Sequence, residues 1–353
     1  MRLLDVPMPT HKKPESERYK GPAKYAEYLV GRAVVSTLQR LPIGFAYRLG
    51  RGTGWLAWKL MRRRRATVRK NLEIVNAWFA RCKDGGRQLA NGKDEPPTAM
   101  QAALSLEAQV REVFQRTGAN LFAGFTFNRM SPEQAGRHIR IEGVEHLKAA
   151  LEEGGGVIVL LAHMGPWETL AQLPGLAREH GIDAPFGAIY RKFNNAYLDG
   201  WFRRQREASG TRLFGSRSKF YAPVDFLRAG GMLGILADQR ASGGERAAFF
   251  GLLTKVTPLP GLLQLRSKAS LLALSISTKT ACQWTLRIHP VEAGQADEDG
   301  KRRPVLAQAT ATAMESVLSR SPLDGFWFTD RFKDVNQARR TRKREREPLG
   351  TNE

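Results

Sequence analysis

GVIVLLAHMGPWETL, residues 156–170, decides the reading of this chain. The uninterrupted apolar run before His163 is that of a strand buried on both faces, as in a parallel sheet. His163 stands where the strand exits. Gly165 and Pro166 turn the chain, and Pro166 suits a first helical position. The spacing predicts a helix over 166–178, with Glu168 in its first turn. In open α/β sheets, ligands collect at the carboxyl ends of the strands. A histidine and a carboxylate five residues apart across such a junction can face one cleft. A neutral imidazole can take a proton from a hydroxyl, and a carboxylate on its other nitrogen fixes the tautomer. No Ser or Cys occupies an elbow motif, so a nucleophile would belong to the substrate. The plainer alternative is a structural histidine, with Glu168 as a helix N-terminal charge.

Short apolar runs alternate with amphipathic segments from about residue 139. Strands are expected at 184–190, 211–215, 231–238, 270–278 and 282–291. Helices are expected at 195–208, 218–229 and 303–320. This alternation predicts an α/β fold with a mostly parallel central sheet flanked by helices. The last two strands are close enough to pair antiparallel.

The N-terminal part is different. Residues 1–22 are polar and Pro-rich and read as a flexible N-terminus. Residues 23–81 read as a helical, membrane-associating region. One amphipathic helix from Tyr25 toward Tyr47 breaks at Pro42, and another covers Gly50–Met61. Lys59, Arg62, Arg63, Arg64, Arg65, Arg69 and Lys70 then follow with no acid between them. Tryptophans beside such a cluster suit a helix lying among lipid headgroups. A solvated basic face or a nucleic-acid surface are the alternatives. Residues 82–105 read as a polar insertion, 106–335 as the α/β domain, with a helix at 106–127, and 336–353 as a basic tail.

Composition sets limits. The chain has 353 residues, 56 Lys plus Arg against 34 Asp plus Glu, and a net charge of +22. That excess points to an anionic partner. Two cysteines exclude a disulfide scaffold or a cysteine-rich zinc module. The histidines show no metal-ligand spacing, so no metal is expected. No phosphate-binding glycine loop of the Walker or Rossmann type occurs, so no nucleotide cofactor is expected. No signal peptide and no run of 18 apolar residues is expected to insert in a membrane.

Other candidates lie at strand ends. Arg191 could hold a phosphate or an oxyanion. Asn194 or Asn195 could contact substrate or cap the next helix. Asp238, Gln239 and Arg240 end a buried strand at the same edge, where Asp238 could equally be a cap. Phe249 and Phe250 could line an apolar tunnel or belong to the core. Arg331 and Lys333 could bind phosphate or be solvated.

These residues resemble a known family. His163-Met-Gly-Pro-Trp-Glu168 is similar to the H-x-x-x-x-D/E motif of glycerolipid and glycolipid acyltransferases, and closest to the bacterial lipid A biosynthesis lauroyl/myristoyl acyltransferases. Mycobacterial mannosyl-phosphoinositide acyltransferases are relatives. Pro166 stands where that family usually has Asn. Downstream, AIYRKFNNAYLDGWFRRQREASGTRLF (188–214), GMLGILADQR (231–240), AAFFG (247–251) and GFWFTDRFK (325–333) resemble family blocks in the expected order. Upstream, RRRRATVRKNLEIV (62–75) resembles its basic helix. The blocks cover roughly residues 45–335.

The resemblance implies transfer of a fatty acyl group from a thioester, on acyl carrier protein or CoA, to a glycolipid hydroxyl such as that of a lipid A precursor. It implies His163 as general base with Glu168 orienting it. Arg191, Asn194, Asn195, Asp238, Gln239 and Arg240 would bind substrate, and Trp167, Phe249 and Phe250 would line the acyl pocket. It implies no cofactor beyond the thioester co-substrate and no nucleic-acid partner. The expected place is the cytoplasmic face of the inner membrane, on an anionic surface. Attachment would be peripheral, because Arg48 and Arg51 interrupt the anchor. TPLPGLLQLRSK (257–268) is bulkier than in the family, so acyl chain length does not carry over. Other acceptors (a phosphoinositide mannoside, a lysophospholipid or an aminolipid) and an inactive anion-binding protein are the alternatives.

Overall fold

A computed structural model describes residues 19–82, 103–215, 221–291 and 306–335. Most of the expected flexible N-terminus and polar insertion, and the whole of the expected basic tail, lie outside these residues.

Four helices lead: α1 (Pro22–Leu38), α2 (Ile43–Leu60), α3 (Arg62–Arg81) and α4 (Leu106–Phe127). The expected break at Pro42 is present, and Pro42 immediately precedes α2. Helices α2 and α4 pack at backbone contact. A Cβ on Gly54 would lie 2.2 Å from the Phe114 carbonyl oxygen, and one on Gly118 2.2 Å from that of Gly50. Only glycines allow this approach.

A short helix α5 (Pro132–Gly136), capped by Ser131, leads into β1 (Ile139–Glu142) and α6 (Val144–Glu152). The next strand, β2 (Val157–Leu161), is fully buried. Beyond it the chain does not form one helix over 166–178. Trp167–Gln172 is 3₁₀, and α7 spans Leu173–Glu179. Pro174 explains the restart, because it lacks the N–H needed to continue an α-helical ladder.

The remaining elements are β3 (Phe186–Tyr190), α8 (Ala196–Ala208), β4 (Thr211–Gly215), α9 (Tyr221–Arg228) and β5 (Met232–Leu236). Then come β6 (Glu245–Phe249), β7 (Leu252–Val256), α10 (Leu259–Ser267), β8 (Ser270–Thr280), β9 (Gln283–Pro290) and α11 (Leu306–Arg320). Seven strands form one sheet in the order β1-β9-β8-β2-β5-β3-β4. Neighbours pair in parallel except β8 with β9, which form the expected antiparallel pair. The fold is therefore α/β with a mostly parallel central sheet between helices. Strands β6 and β7 form a separate hairpin.

Alternation along β2 divides the core. Val157, Val159 and Leu161 pack with Leu147 of α6 and Leu176 of α7. Ile158 and Leu160 join Leu227, Leu263, Met314 and Val317 on the other face. Each fully buried aliphatic side chain contributes about 1.5–3 kcal/mol. Strand β2 is thereby clamped on both faces, and the turn that follows it starts from a rigid base.

Candidate active site

Strands β2 and β5 are parallel neighbours, with Leu161 paired to Leu236. Two residues beyond each lie His163 and Asp238. Strand register alone brings these side chains together. His163 Nδ1 is 2.7 Å from Asp238 Oδ1. A carboxylate only accepts, so Nδ1 carries the proton and Nε2 is the nitrogen left for substrate. Asp238 is 4 % exposed, whereas the His163 side chain keeps 28 % of its surface open.

Burial opposes the imidazolium, but the charge and hydrogen bond of Asp238, with the charge of Glu168, outweigh it. His163 is raised above its ordinary 6.5. Burial would likewise raise Asp238. The His163 charge and hydrogen bond, and a bond from Gln239, outweigh that and hold its carboxyl low. Such a pair can accept a proton from a hydroxyl and hold the resulting positive charge.

The turn after β2 is pinned from below. Gly165 has φ +54, and a Cβ there would lie 2.5 Å from the Ile276 carbonyl oxygen. Its N–H donates to the Asp324 carbonyl, and the Phe326 N–H donates to the His163 carbonyl at 2.8 Å. The fully buried Asp324 carboxylate accepts from Thr278 Oγ1 and Ser321 Oγ, each at 2.6 Å, and from Asn120 and Arg116. Arg116 continues to Glu112, which Arg51 of α2 also binds. Breaking one partner of a buried ion pair typically costs about 3–5 kcal/mol, so this cluster holds the turn firmly.

Glu168 does not orient His163, contrary to the expectation from sequence. Both of its oxygens accept from Arg206 of α8, at 3.0 and 3.3 Å. The 3₁₀ turn and that guanidinium direct it away from Nδ1, which Asp238 occupies. It acts on His163 only through its charge. Arg206 also lies 5.5 Å from the centre of the Tyr190 ring. Trp167 stands edge-on to His163, with ring centres 5.8 Å apart, and Phe326 completes an aromatic wall.

Several other expectations change. Asn195 is 2 % exposed and caps α8: its Oδ1 accepts from the Tyr197 and Leu198 N–H groups, and its Nδ2 donates to the Lys24 carbonyl. Its amide is thus used as a cap and as a tie to the start of α1. Arg240 is held by both oxygens of Asp334. Gln239 is used at both ends, by Asp238 and Thr329. Phe249 and Phe250 are fully buried against Trp78, Phe332 and Trp327, and so belong to the core. Phe250 and Gly251, both with positive φ, form the two-residue turn of the β6–β7 hairpin. Arg191 and Asn194 are exposed on the loop after β3. Arg331 is buried, donates to Thr254 Oγ1 and the Lys255 carbonyl, and is lowered to about 10 by burial. Lys333 is exposed.

The family model for bacterial lipid A biosynthesis acyltransferases matches residues 101–334, which include His163, Glu168, Arg206 and Asp238. The chain belongs to that family. This acyltransferase is also similar to the phosphatidylinositol mannoside acyltransferase of Mycolicibacterium smegmatis, at 22 % identity over 86 % of this chain and 97 % of the relative. The enzyme of the same name from Mycobacterium tuberculosis is 25 % identical over 88 % of this chain and 95 % of its own length.

Sequence reasoning missed the roles of Asp238 and Arg206. Asp238 was findable: its strand and that of His163 are both buried runs, and parallel pairing sets their ends side by side. Arg206 gave no such signal, because it sits among Arg203, Arg204 and Arg212.

Proposed function

We propose that this acyltransferase moves a fatty acyl chain from a thioester to a hydroxyl of a membrane glycolipid, with His163 as general base. The single observation that carries the mechanism is the Asp238–His163 pair at the carboxyl ends of the neighbouring strands β2 and β5. His163 Nε2 takes the acceptor hydroxyl proton as the oxygen attacks the thioester carbonyl. Asp238 stabilises the imidazolium. The tetrahedral intermediate then collapses, the C–S bond breaks, and the imidazolium returns its proton to the leaving thiolate. Arg191 is the candidate for holding phosphate or the oxyanion. The motif supplies a base and no nucleophile, which favours direct transfer without an acyl-enzyme.

A small apolar cavity between the sheet and helices α6 and α7 is the candidate start of an acyl pocket, which a bound chain would have to widen. Its volume is about 40 Å³, and Val159, Leu176, Phe186, Met232, Leu274 and Ile288 line it. Val159 lies on β2, two residues before the strand ends and four before His163. The names of the relatives favour a phosphatidylinositol mannoside as acceptor. The family description favours a lipid A precursor as the second reading. The donor is acyl-CoA or acyl carrier protein, both anionic, in keeping with the charge of +22.

Work at a lipid surface rests on α1 and α2. Among the described residues, no helix is long and apolar enough to cross a membrane. Helix α2 is nevertheless apolar on two sides. Gly50 and Gly54 face α4, while Phe45, Leu49, Leu56 and Leu60 are 41–70 % exposed at helical spacing. Lys59 lies over the exposed Trp55, and Arg62 and Arg63 follow. An apolar stripe edged by cations matches an anionic interface at the cytoplasmic face of the inner membrane, where thioester donors occur.

The test is incubation of the purified protein with acyl-CoA or acyl carrier protein thioester and a panel of acceptors on anionic vesicles. The panel holds a phosphatidylinositol mannoside, a lipid A precursor and a lysophospholipid, and products are read by mass spectrometry. An acylated mannoside is expected. Acylation of the lysophospholipid alone would overturn the glycolipid reading.

A further inference from the structure

We infer that Gln239, Thr329 and Asn71 are positioning residues that hold the Asp238–His163 pair in line, and that helix α3 is the anchor of this arrangement. The inference rests on the general-base reading above. Gln239 Nε2 donates to Asp238 Oδ2 at 2.7 Å. The Thr329 hydroxyl donates to Gln239 Oε1. Asn71, in the middle of α3 and 1 % exposed, donates to the Thr329 carbonyl at 2.8 Å and the Trp327 carbonyl at 2.9 Å. Arg64, one turn into the same helix, donates to the Phe328 carbonyl at 3.0 Å. Three consecutive carbonyls, 327 to 329, are therefore taken by one helix.

The segment so held touches the base twice. Through Thr329, Gln239 and Asp238 it reaches Nδ1 of His163. Through the Phe326 N–H it reaches the His163 carbonyl. The ring and the backbone of one histidine are thus fixed by the same short strap.

The chemistry gives each residue a task. Asp238 has two oxygens, and only one faces His163. With nothing on Oδ2, the buried carboxylate would rotate about its terminal torsion, which is broad and two-fold. Gln239 removes that freedom. An amide can itself flip, and Thr329 settles which end faces Asp238, because a hydroxyl donating to Oε1 leaves Nε2 for the carboxylate. Thr329 is exposed, so its contribution to the core is small. Its hydroxyl matters through Gln239 and not through packing.

The test compares wild type with Gln239→Leu, Thr329→Val, Thr329→Ser and Asn71→Ala. The readouts are kcat and KM for acyl transfer, and the His163 imidazole titration by ¹⁵N NMR, assigned with His163→Gln. We expect Thr329→Val to lower kcat about three- to tenfold at unchanged KM, Thr329→Ser to restore it, and Gln239→Leu to lower it more. Removing a donor from Asp238 leaves its charge more concentrated, so the His163 titration moves to higher pH in Gln239→Leu. A Thr329→Val enzyme within twofold of wild type, together with an unmoved titration in Gln239→Leu, would overturn the inference. The titration needs no turnover. If the wild type transfers no acyl group yet the titration moves, the positioning chain stands and the general-base reading falls. Asn71→Ala is the one variant at a buried position, and the Thr329 pair decides the matter if it fails to fold.

Discussion

Replacing Asp238 by Asn keeps its size and removes its charge. At an effective dielectric of 20, two unit charges 4 Å apart attract by about 4 kcal/mol. The Asn carbonyl can still accept from His163, which recovers about 1 kcal/mol. A second cost arises on the other side. An Asn that keeps its oxygen on His163 points its NH₂ at the NH₂ of Gln239, whose own oxygen is held by Thr329. An Asn turned the other way presents a donor to Nδ1, which forces the proton onto Nε2 and removes the base. The net loss is about 2–4 kcal/mol of transition-state stabilisation, or roughly 30- to 1,000-fold in kcat/KM. The pH dependence carries a sign. As general base, His163 works above its pKa, which Asp238 raises. Without that carboxylate, burial dominates and the acid limb of kcat/KM moves to lower pH. The assay is kcat/KM against pH for both proteins under saturating donor. Activity within threefold of wild type, or an acid limb that stays in place or moves up, would refute the reasoning.

Other expectations follow from the same contacts. Glu168→Gln should move the acid limb down by less than Asp238→Asn does, and a double-mutant cycle should show its energetic coupling to Arg206 exceeding that to Asp238. Gly54→Leu should destabilise the fold by about 2 kcal/mol or more in chemical denaturation, because α2 and α4 meet at backbone distance there. Phe250→Ala should cost about 3–5 kcal/mol of stability while leaving acyl chain-length preference unchanged, since the ring is core. Burial and nearby Arg320 and Arg287 lower His289 from 6.5 to about 4. The unfolded chain therefore binds an extra proton in that range. Stability should fall by up to about 3 kcal/mol as pH drops from 6.5 to 4. Comparison of denaturation midpoints with His289→Gln isolates this part.

Much of this fold is written in periodicities that a reader can follow. The buried runs of β2 and β5, the break at Pro42 and the 3.6-residue spacing of the N-terminal helices all announce themselves. The β6–β7 hairpin was harder, because Glu245 and Arg246 give β6 a polar start and only the Phe250–Gly251 turn stands out. The site was legible to the level of His163 and no further. Nearness in sequence suggested Glu168 as its partner, whereas nearness across the sheet supplied Asp238. A 3₁₀ turn differs from an α-turn in where it aims a side chain, and no composition signal distinguishes the two here. Asn195 shows the reverse case: its cap role follows from local rules. The contact of Gly50 and Gly54 with Gly118 joins residues more than sixty positions apart, and only the folded chain reveals it.

His163 drives direct acyl transfer in the mechanism proposed above. This transfer is tested by measuring thiol release and glycolipid acylation together, in wild type and His163→Ala, with the intact mass of the protein recorded during turnover. Direct transfer predicts one thiol per acyl ester formed, no thiol release without acceptor, an enzyme mass free of acyl adduct, and loss of both products in a folded His163→Ala. An acylated protein that goes on to acylate the acceptor, or a His163→Ala enzyme with wild-type turnover, would contradict it.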